Sequence, residues 1–468
     1  MNRRIFLKTI AAGTVSLSVS KSLRADPIKN KTNIIYILAD DLGYGDLGCY
    51  DQKLIKTPNI DQITVEGMKF TQHYSGSALC APSRCSLMTG KHTGHCYIRN
   101  NKPLPYEGNL PIPAQEITVA EIMKKAGYVT GCIGKWGLGF PGSQGDPNKQ
   151  GFDHWFGYNC QRLAHNYYPS HLWRNADKVI LEGNQNKKKN QYSHDLLTKE
   201  ALEFIQKNSN HPFFLYLPYT IPHPKLQVPD LGEYADKDWQ DNHKIQAAMI
   251  SRMDKDVGKI LAILKKLKID NHTLVIFTSD NGPHGAAGTL QKFNAAGPLR
   301  AKKGTLYEGG IRVPMVARWP GKIEPGSRTE HISAFWDVLP TMAQIAGIDP
   351  PADIDGISFL PTLLDQNSKQ KQHDYLYWEL GGKQTVRKGD FKAIKRQSPP
   401  DTPVELYNLK TDLAEESDIA AKHPEIVAQM KKIMLGAHTE SKIFPLLKKK
   451  PQPKNTEKRR KNTRQRPT

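Results

Sequence analysis

Asn33-Ile34-Ile35-Tyr36-Ile37-Leu38-Ala39 runs straight into Asp40-Asp41, seven nearly all-apolar residues closed by two carboxylates. A run this short, rich in β-branched and aromatic side chains, reads as a strand buried on both faces. Working outward, residues 128–133, 213–217 and 274–278 repeat the pattern, each bounded by Gly, Pro, Asp or Asn. Helical patterns over 118–125, 196–206 and 245–267 each lead into the next of these strands. Strands that alternate with helices are joined by crossovers, so the expected fold is α/β with a mostly parallel sheet.

An open α/β sheet binds its ligands at the carboxyl ends of its strands. Two of these strands end in adjacent oxygen donors: Asp40-Asp41 after the first, and Asp280-Asn281 after residues 274–278. If the two strands lie side by side, three carboxylates and one amide oxygen converge. Such a set suits Ca2+ or Mg2+ and is poor in the nitrogen and sulfur that zinc favours. The competing reading is that the same acids only open turns and cap helices.

Further along, a polar linker over 361–372 gives way to short strand candidates at 375–379, 385–388, 391–394 and 405–408 and a helix at 424–434. These form a small α+β unit over 371–447 with an antiparallel sheet. Residues 448–468 hold ten Lys/Arg against one Glu and almost no large apolar side chain, a basic tail expected to be disordered. At the other end, Arg3-Arg4 precede a moderately apolar run from Thr9 to Val19 and small residues up to Ala25. Residues 1–25 thus resemble a bacterial twin-arginine export signal, with an amphipathic first helix as the alternative. Export leads to the periplasm or beyond, where disulfides can form. The six cysteines show no paired spacing of a structural zinc site.

The net charge of +20 sits largely in those two ends, which leaves +6 for the body. That balance fits a soluble enzyme with an anionic substrate and argues against a nucleic-acid partner. At 468 residues, with 38% apolar and 24% charged side chains, the chain has room for two or three domains of roughly 150 residues. No apolar stretch reaches eighteen residues, so no transmembrane segment is expected. The oligomeric state is left open.

Cys80-Ala81-Pro82-Ser83-Arg84, continuing as Cys85-Ser86-Leu87-Met88-Thr89-Gly90, resembles the signature of the type I sulfatases in the alkaline phosphatase superfamily. Gly134-Lys135-Trp136-Gly137-Leu138-Gly139 is similar to that family's second signature, and Pro222-His223-Pro224 and Ser279-Asp280-Asn281-Gly282 to two further segments. Lys303-Gly304-Thr305-Leu306-Tyr307-Glu308-Gly309-Gly310, within residues 299–314, is similar to another. In family order, these matches span most of residues 31–445. The resemblance implies an alkaline-phosphatase-like α/β/α sandwich as catalytic domain over 26–370, followed by the small C-terminal domain.

The same resemblance implies that Cys80 is oxidised to formylglycine by a formylglycine-generating maturation enzyme, and that Asp40, Asp41, Asp280 and Asn281 hold one Ca2+. Lys135 and Lys303 are then the sulfate contacts, and His223 faces the leaving-group oxygen. Arg84 and the helix N-terminus favour negative charge beside residue 80. Taken alone, Lys135 or Lys303 reads as a solvated surface charge. The implied activity is hydrolysis of a sulfate ester, with a sulfated carbohydrate as substrate and aryl sulfates as surrogates.

One residue departs from the pattern. Many relatives carry histidine where Gly137 stands, a side chain that contacts the formylglycine hydroxyl and can act as the base that expels sulfate. His165, in Gln161-Arg162-Leu163-Ala164-His165-Asn166-Tyr167-Tyr168-Pro169, and His284 are the candidates to supply that function or to bind substrate; each reads equally well as a structural histidine. Two other functions stay open: a phosphonate or phosphodiester hydrolase of the same superfamily, and a degenerate sulfatase that only binds anionic glycans.

Overall fold

The computed structural model describes residues 31–397 and 402–446; the stretches expected to be an export signal and a basic tail lie outside the described residues. A ten-stranded sheet forms the centre, in the order Ser327–Thr329, Met68–Phe70, Met315–Arg318, Thr273–Ser279, Asn33–Ala39, Phe213–Pro218, Val129–Lys135, His154–Tyr158, His171–Arg174 and Asp177–Ile180. The middle five strands, from Thr273–Ser279 to His154–Tyr158, are mutually parallel. They include all four strands expected from the sequence. Antiparallel pairing begins at Met315–Arg318 on one side and at His171–Arg174 on the other.

Alternation along Asn33–Ala39 divides the core. Ile34, Tyr36 and Leu38 face one apolar layer with residues of the helices Cys80–Thr89, Val119–Lys125 and Val338–Ala346. Ile35, Ile37 and Ala39 face the other, with the helices Pro58–Val65, Ser193–Lys207 and Asp241–Lys266. The result is an α/β/α sandwich. Val119–Lys125 starts where a capping box allows it: Thr118 accepts the Glu121 N–H and the Glu121 carboxylate takes the Thr118 N–H, which contributes about 1 kcal/mol. Asp241–Lys266 begins four residues before the apolar pattern does, because its first turn is polar and leaves no hydrophobic period to read.

The expected C-terminal sheet is present as four antiparallel strands, Leu376–Leu380, Lys383–Lys388, Phe391–Lys395 and Val404–Asn408. One face packs on the helix Pro424–Gly436 through Val386, Ala393, Leu406, Met430 and Met434. On the other face, Leu376, Trp378 and Leu380 share a core with Tyr74, Leu306, Ile311 and Trp336 of the central body. Beside that apolar patch, fully buried Lys392 lies 2.8 Å from Glu308 Oε1 and 2.9 Å from Glu415 Oε1.

Candidate active site

Register places the site. Ala39 pairs with Ser279, so Asp40 and Asp280 leave the sheet as neighbours. The Asp280 N–H donates to the Ala39 carbonyl at 3.0 Å, and the Asp41 N–H donates to Asp280 Oδ1 at 3.1 Å. Val129–Lys135 lies two strands along from Asn33–Ala39, beyond Phe213–Pro218, and delivers Lys135 to the same edge. Cys80 is the first residue of its helix and 2% exposed, with Sγ 3.4 Å from both Asp40 Oδ1 and Lys303 Nζ.

Three carboxylates meet three cations there, all largely removed from water. Lys135 Nζ lies 2.5 Å from Asp40 Oδ2, and Lys303 Nζ 2.6 Å from Asp41 Oδ1. Arg84 donates to Asp280 Oδ2 from Nε at 3.1 Å and from a terminal nitrogen at 2.9 Å, and to the Lys135 carbonyl at 2.6 Å. Burial works against the charged form of each carboxylate, but the Lys135 ammonium holds Asp40 well below the usual carboxylate range, and Lys303 holds Asp41 low. Asp280 goes the other way: burial and then the Asp40 charge push it up to about 6 in spite of Arg84. Burial, followed by Asp40, raises the Cys80 thiol to about 12, so at neutral pH the unmodified side chain is a thiol and a weak nucleophile.

Asp40, Asp41, Cys80 and His223 bring ligand atoms within 4.8 Å of one another. Asn281 Nδ2 donates to Asp41 Oδ1 at 2.8 Å and to the Gly282 carbonyl, while Asn281 Oδ1 is buried with no hydrogen-bond partner. A buried amide oxygen without a donor, beside carboxylates, suits a hard cation. The four expected oxygen-donor residues are therefore together. Among the described residues, His92, His95 and Asp355 form the other such cluster. There, His92 Nδ1 accepts the Gly94 N–H at 3.1 Å, which leaves the ring proton on Nε2 and takes that nitrogen out of metal binding.

The histidines divide clearly. His223 Nε2 lies 3.5 Å from Asp41 Oδ2, and its Nδ1–H donates to the Pro224 carbonyl. His165 stacks on it, ring centroids 4.2 Å apart and 11° from parallel. Burial and then the neighbouring His223 push His165 down to about 4, so it is neutral at pH 7. His284 is held at both nitrogens, with Nε2 3.0 Å from Gln246 Oε1 and Nδ1 accepting the Ala286 N–H at 3.0 Å. Sequence reasoning missed Asn101, whose Oδ1 accepts the Ala81 N–H at 3.1 Å, and Gln161, which lies against Gly137. Lone amides carry no motif; only Gln161's place at the head of the His165 segment hinted at it.

The chain belongs to the sulfatase family: the sulfatase family model matches residues 32–348, and that for the N-sulphoglucosamine sulphohydrolase C-terminal region matches 301–440. It is an enzyme of sulfate-ester hydrolysis with an alkaline-phosphatase-like fold. It is 35% identical to the N-acetylgalactosamine-6-sulfatase of Canis lupus familiaris over 387 residues, 77% of this chain and 71% of the relative. Identity to arylsulfatase A of Homo sapiens is 32% over 458 residues, 86% and 87% of the two chains. Among solved structures, Ps i-CgsB in complex with k-i-k-neocarrahexaose superposes with a TM-score of 0.75 at 30% identity, over 87% of this chain and 93% of that one. No helix among the described residues is long and apolar enough to cross a membrane.

Proposed function

We propose that this sulfatase removes sulfate from a sulfated carbohydrate, with residue 80 matured to formylglycine and Ca2+ held by Asp40, Asp41, Asp280 and Asn281. The observation that carries the reading is the meeting of Cys80 Sγ, Asp40 Oδ1 and Lys303 Nζ at 3.4 Å beside an unpartnered Asn281 oxygen. Formed there, formylglycine would supply a hydrated aldehyde as the nucleophile, and bound Ca2+ would supply positive charge for the sulfate oxygens. A thiol raised to about 12 supports the need for that oxidation.

The chain's own residues do the rest. Lys135 and Lys303 face the sulfate oxygens and oppose the charge that gathers on them as the ester bond breaks. Arg84 holds Asp280 and the Lys135 carbonyl in place. His223 is the general acid: an arriving sulfate adds negative charge beside the ring, favours the imidazolium and receives the Nε2 proton at its departing ester oxygen. His165, neutral and half open, stacks on His223 and contacts the substrate; His284, committed at both nitrogens, is a positioning residue. The sulfated carbohydrate is supported by the oligosaccharide bound to the similar Ps i-CgsB. The twin-arginine-like start supports export to the periplasm or beyond.

The test is co-expression with a formylglycine-generating enzyme, an aldehyde-reactive probe on the peptide containing residue 80, and a screen of defined sulfated saccharides against phosphodiesters and phosphonates. Expected are a labelled peptide, turnover of a sulfated saccharide and none in Cys80→Ala. Faster turnover of a phosphodiester or phosphonate, or full activity in Cys80→Ala, overturns the reading.

A further inference from the structure

The place where this chain departs from the second sulfatase signature is filled by a side chain from elsewhere. Gly137 has a left-handed φ of +79°, and the three atoms nearest to a Cβ placed there all belong to Gln161, with Cγ and Nε2 at 3.5 Å. Gln161 is fixed in that position. Its N–H donates to Asn109 Oδ1 at 2.9 Å, its Oε1 accepts from Asn109 Nδ2 at 3.3 Å, and its Nε2 donates to Asn101 Oδ1 at 3.3 Å. The same Asn101 oxygen accepts the N–H of Ala81, in the first turn of the helix Cys80–Thr89. Leu79, the N-cap residue of that helix, has no capping side chain of its own, so Asn101 performs the capping from outside the helix. Gln161 and Asn109 are buried, whereas Asn101 is exposed, and its part is to hold its oxygen at the Ala81 amide.

We propose that Gln161, through Asn101, is a positioning residue for the nucleophile at residue 80, its carboxamide occupying the space that a histidine at 137 would enter. The role of residue 80 rests on the function proposed above; the hydrogen-bond relay does not. Loss of the relay frees the Ala81 amide and lets the reacting side chain drift, and a misplacement of about 1 Å can cost on the order of a hundredfold in rate.

The experiment uses the matured full chain and a soluble sulfate ester. Gln161→Ala and Asn101→Ala should each lower kcat about 10- to 100-fold with little change in KM or Tm. Asn101→Asp, which keeps the acceptor oxygen, should restore most of what Asn101→Ala loses. Gly137→His alone should be impaired, by the left-handed backbone at 137 and by the approach of the ring beyond its Cβ to Gln161. Gly137→His with Gln161→Ala should turn over at least tenfold faster than the product of the two single losses, with an imidazole ionisation appearing in its kcat–pH profile. Independently of turnover, amide exchange of the peptide containing Ala81 should quicken in Gln161→Ala and Asn101→Ala and stay slow in Asn101→Asp. Unchanged exchange overturns the relay whatever the enzyme does. Quickened exchange with kcat within threefold of wild type, or a change in KM alone, overturns the role in catalysis. A wild-type chain that hydrolyses no sulfate ester overturns the proposed function and leaves the relay to be judged by exchange.

Discussion

Lys392 has no exposed surface and is shared by two buried carboxylates, so Lys392→Met removes a charge without removing volume. The two acids are not equally provided for afterwards. Glu308 keeps the Tyr74 hydroxyl at 2.6 Å and Arg312 at 3.2 Å. Glu415 keeps only the Glu308 N–H at 2.7 Å, and burial already raises its pKa above 4.5 with the lysine in place. In the variant Glu415 should therefore fold as the neutral acid. A carboxyl whose folded pKa lies above its unfolded value stabilises below the unfolded pKa and loses that contribution as pH rises. The loss in the variant should therefore be small near pH 5, close to the unfolded value of 4.5, and at pH 7 reach the range of about 3–5 kcal/mol for breaking a buried ion pair. Guanidinium unfolding at the two pH values reads the difference, and Lys392→Met/Glu415→Gln should recover most of the loss at pH 7. An equal loss at both pH values, or less than about 1 kcal/mol at pH 7, would refute the reasoning.

Asp280→Asn or Asp40→Asn takes one carboxylate from the proposed cation site, so Ca2+ affinity by calorimetry should fall and a chelator should inactivate the wild type; better restoration by zinc than by calcium counts against the site. Burial pushes His73 down to about 3, below its ordinary 6.5, so the stability it lends is present above pH 6.5 and lost as pH falls, at about 1.4 kcal/mol per pH unit. His73→Gln should show a shallower fall between pH 6 and pH 4, and slopes identical to wild type would contradict this. Truncation after Leu447 should leave turnover of a small sulfate ester unchanged while weakening salt-sensitive attachment to an anionic polymer; a large loss of turnover would tie the tail to the catalytic body.

The parts legible in the sequence were those written in local patterns. Asn33–Ala39 and Thr273–Ser279 declared themselves as fully buried strands, and their pairing turned two separate dipeptides into one site. Met68–Phe70 and Met315–Arg318 did not declare themselves, because three or four residues hold no period that distinguishes a strand from a loop. Lys392 was invisible for a different reason: a lysine reads as a surface residue, and Glu308 lies 84 positions away. Gln161 was hidden in the same way, since the feature that gives it meaning is an empty Cβ position at Gly137.

The grip of Lys392 and Glu415 on Glu308 has a consequence for how such a chain can change over generations. Lys303 stands on the same short segment as Glu308, and the segment runs on into Met315–Arg318, inside the central sheet. A crossover at the polar linker would hand Glu308 a foreign C-terminal sheet; one placed before residue 301 would carry a strand out of the central sheet. No seam serves both, so the two sheets are expected to be inherited together, with substitutions at 308, 392 and 415 arising in step rather than one at a time.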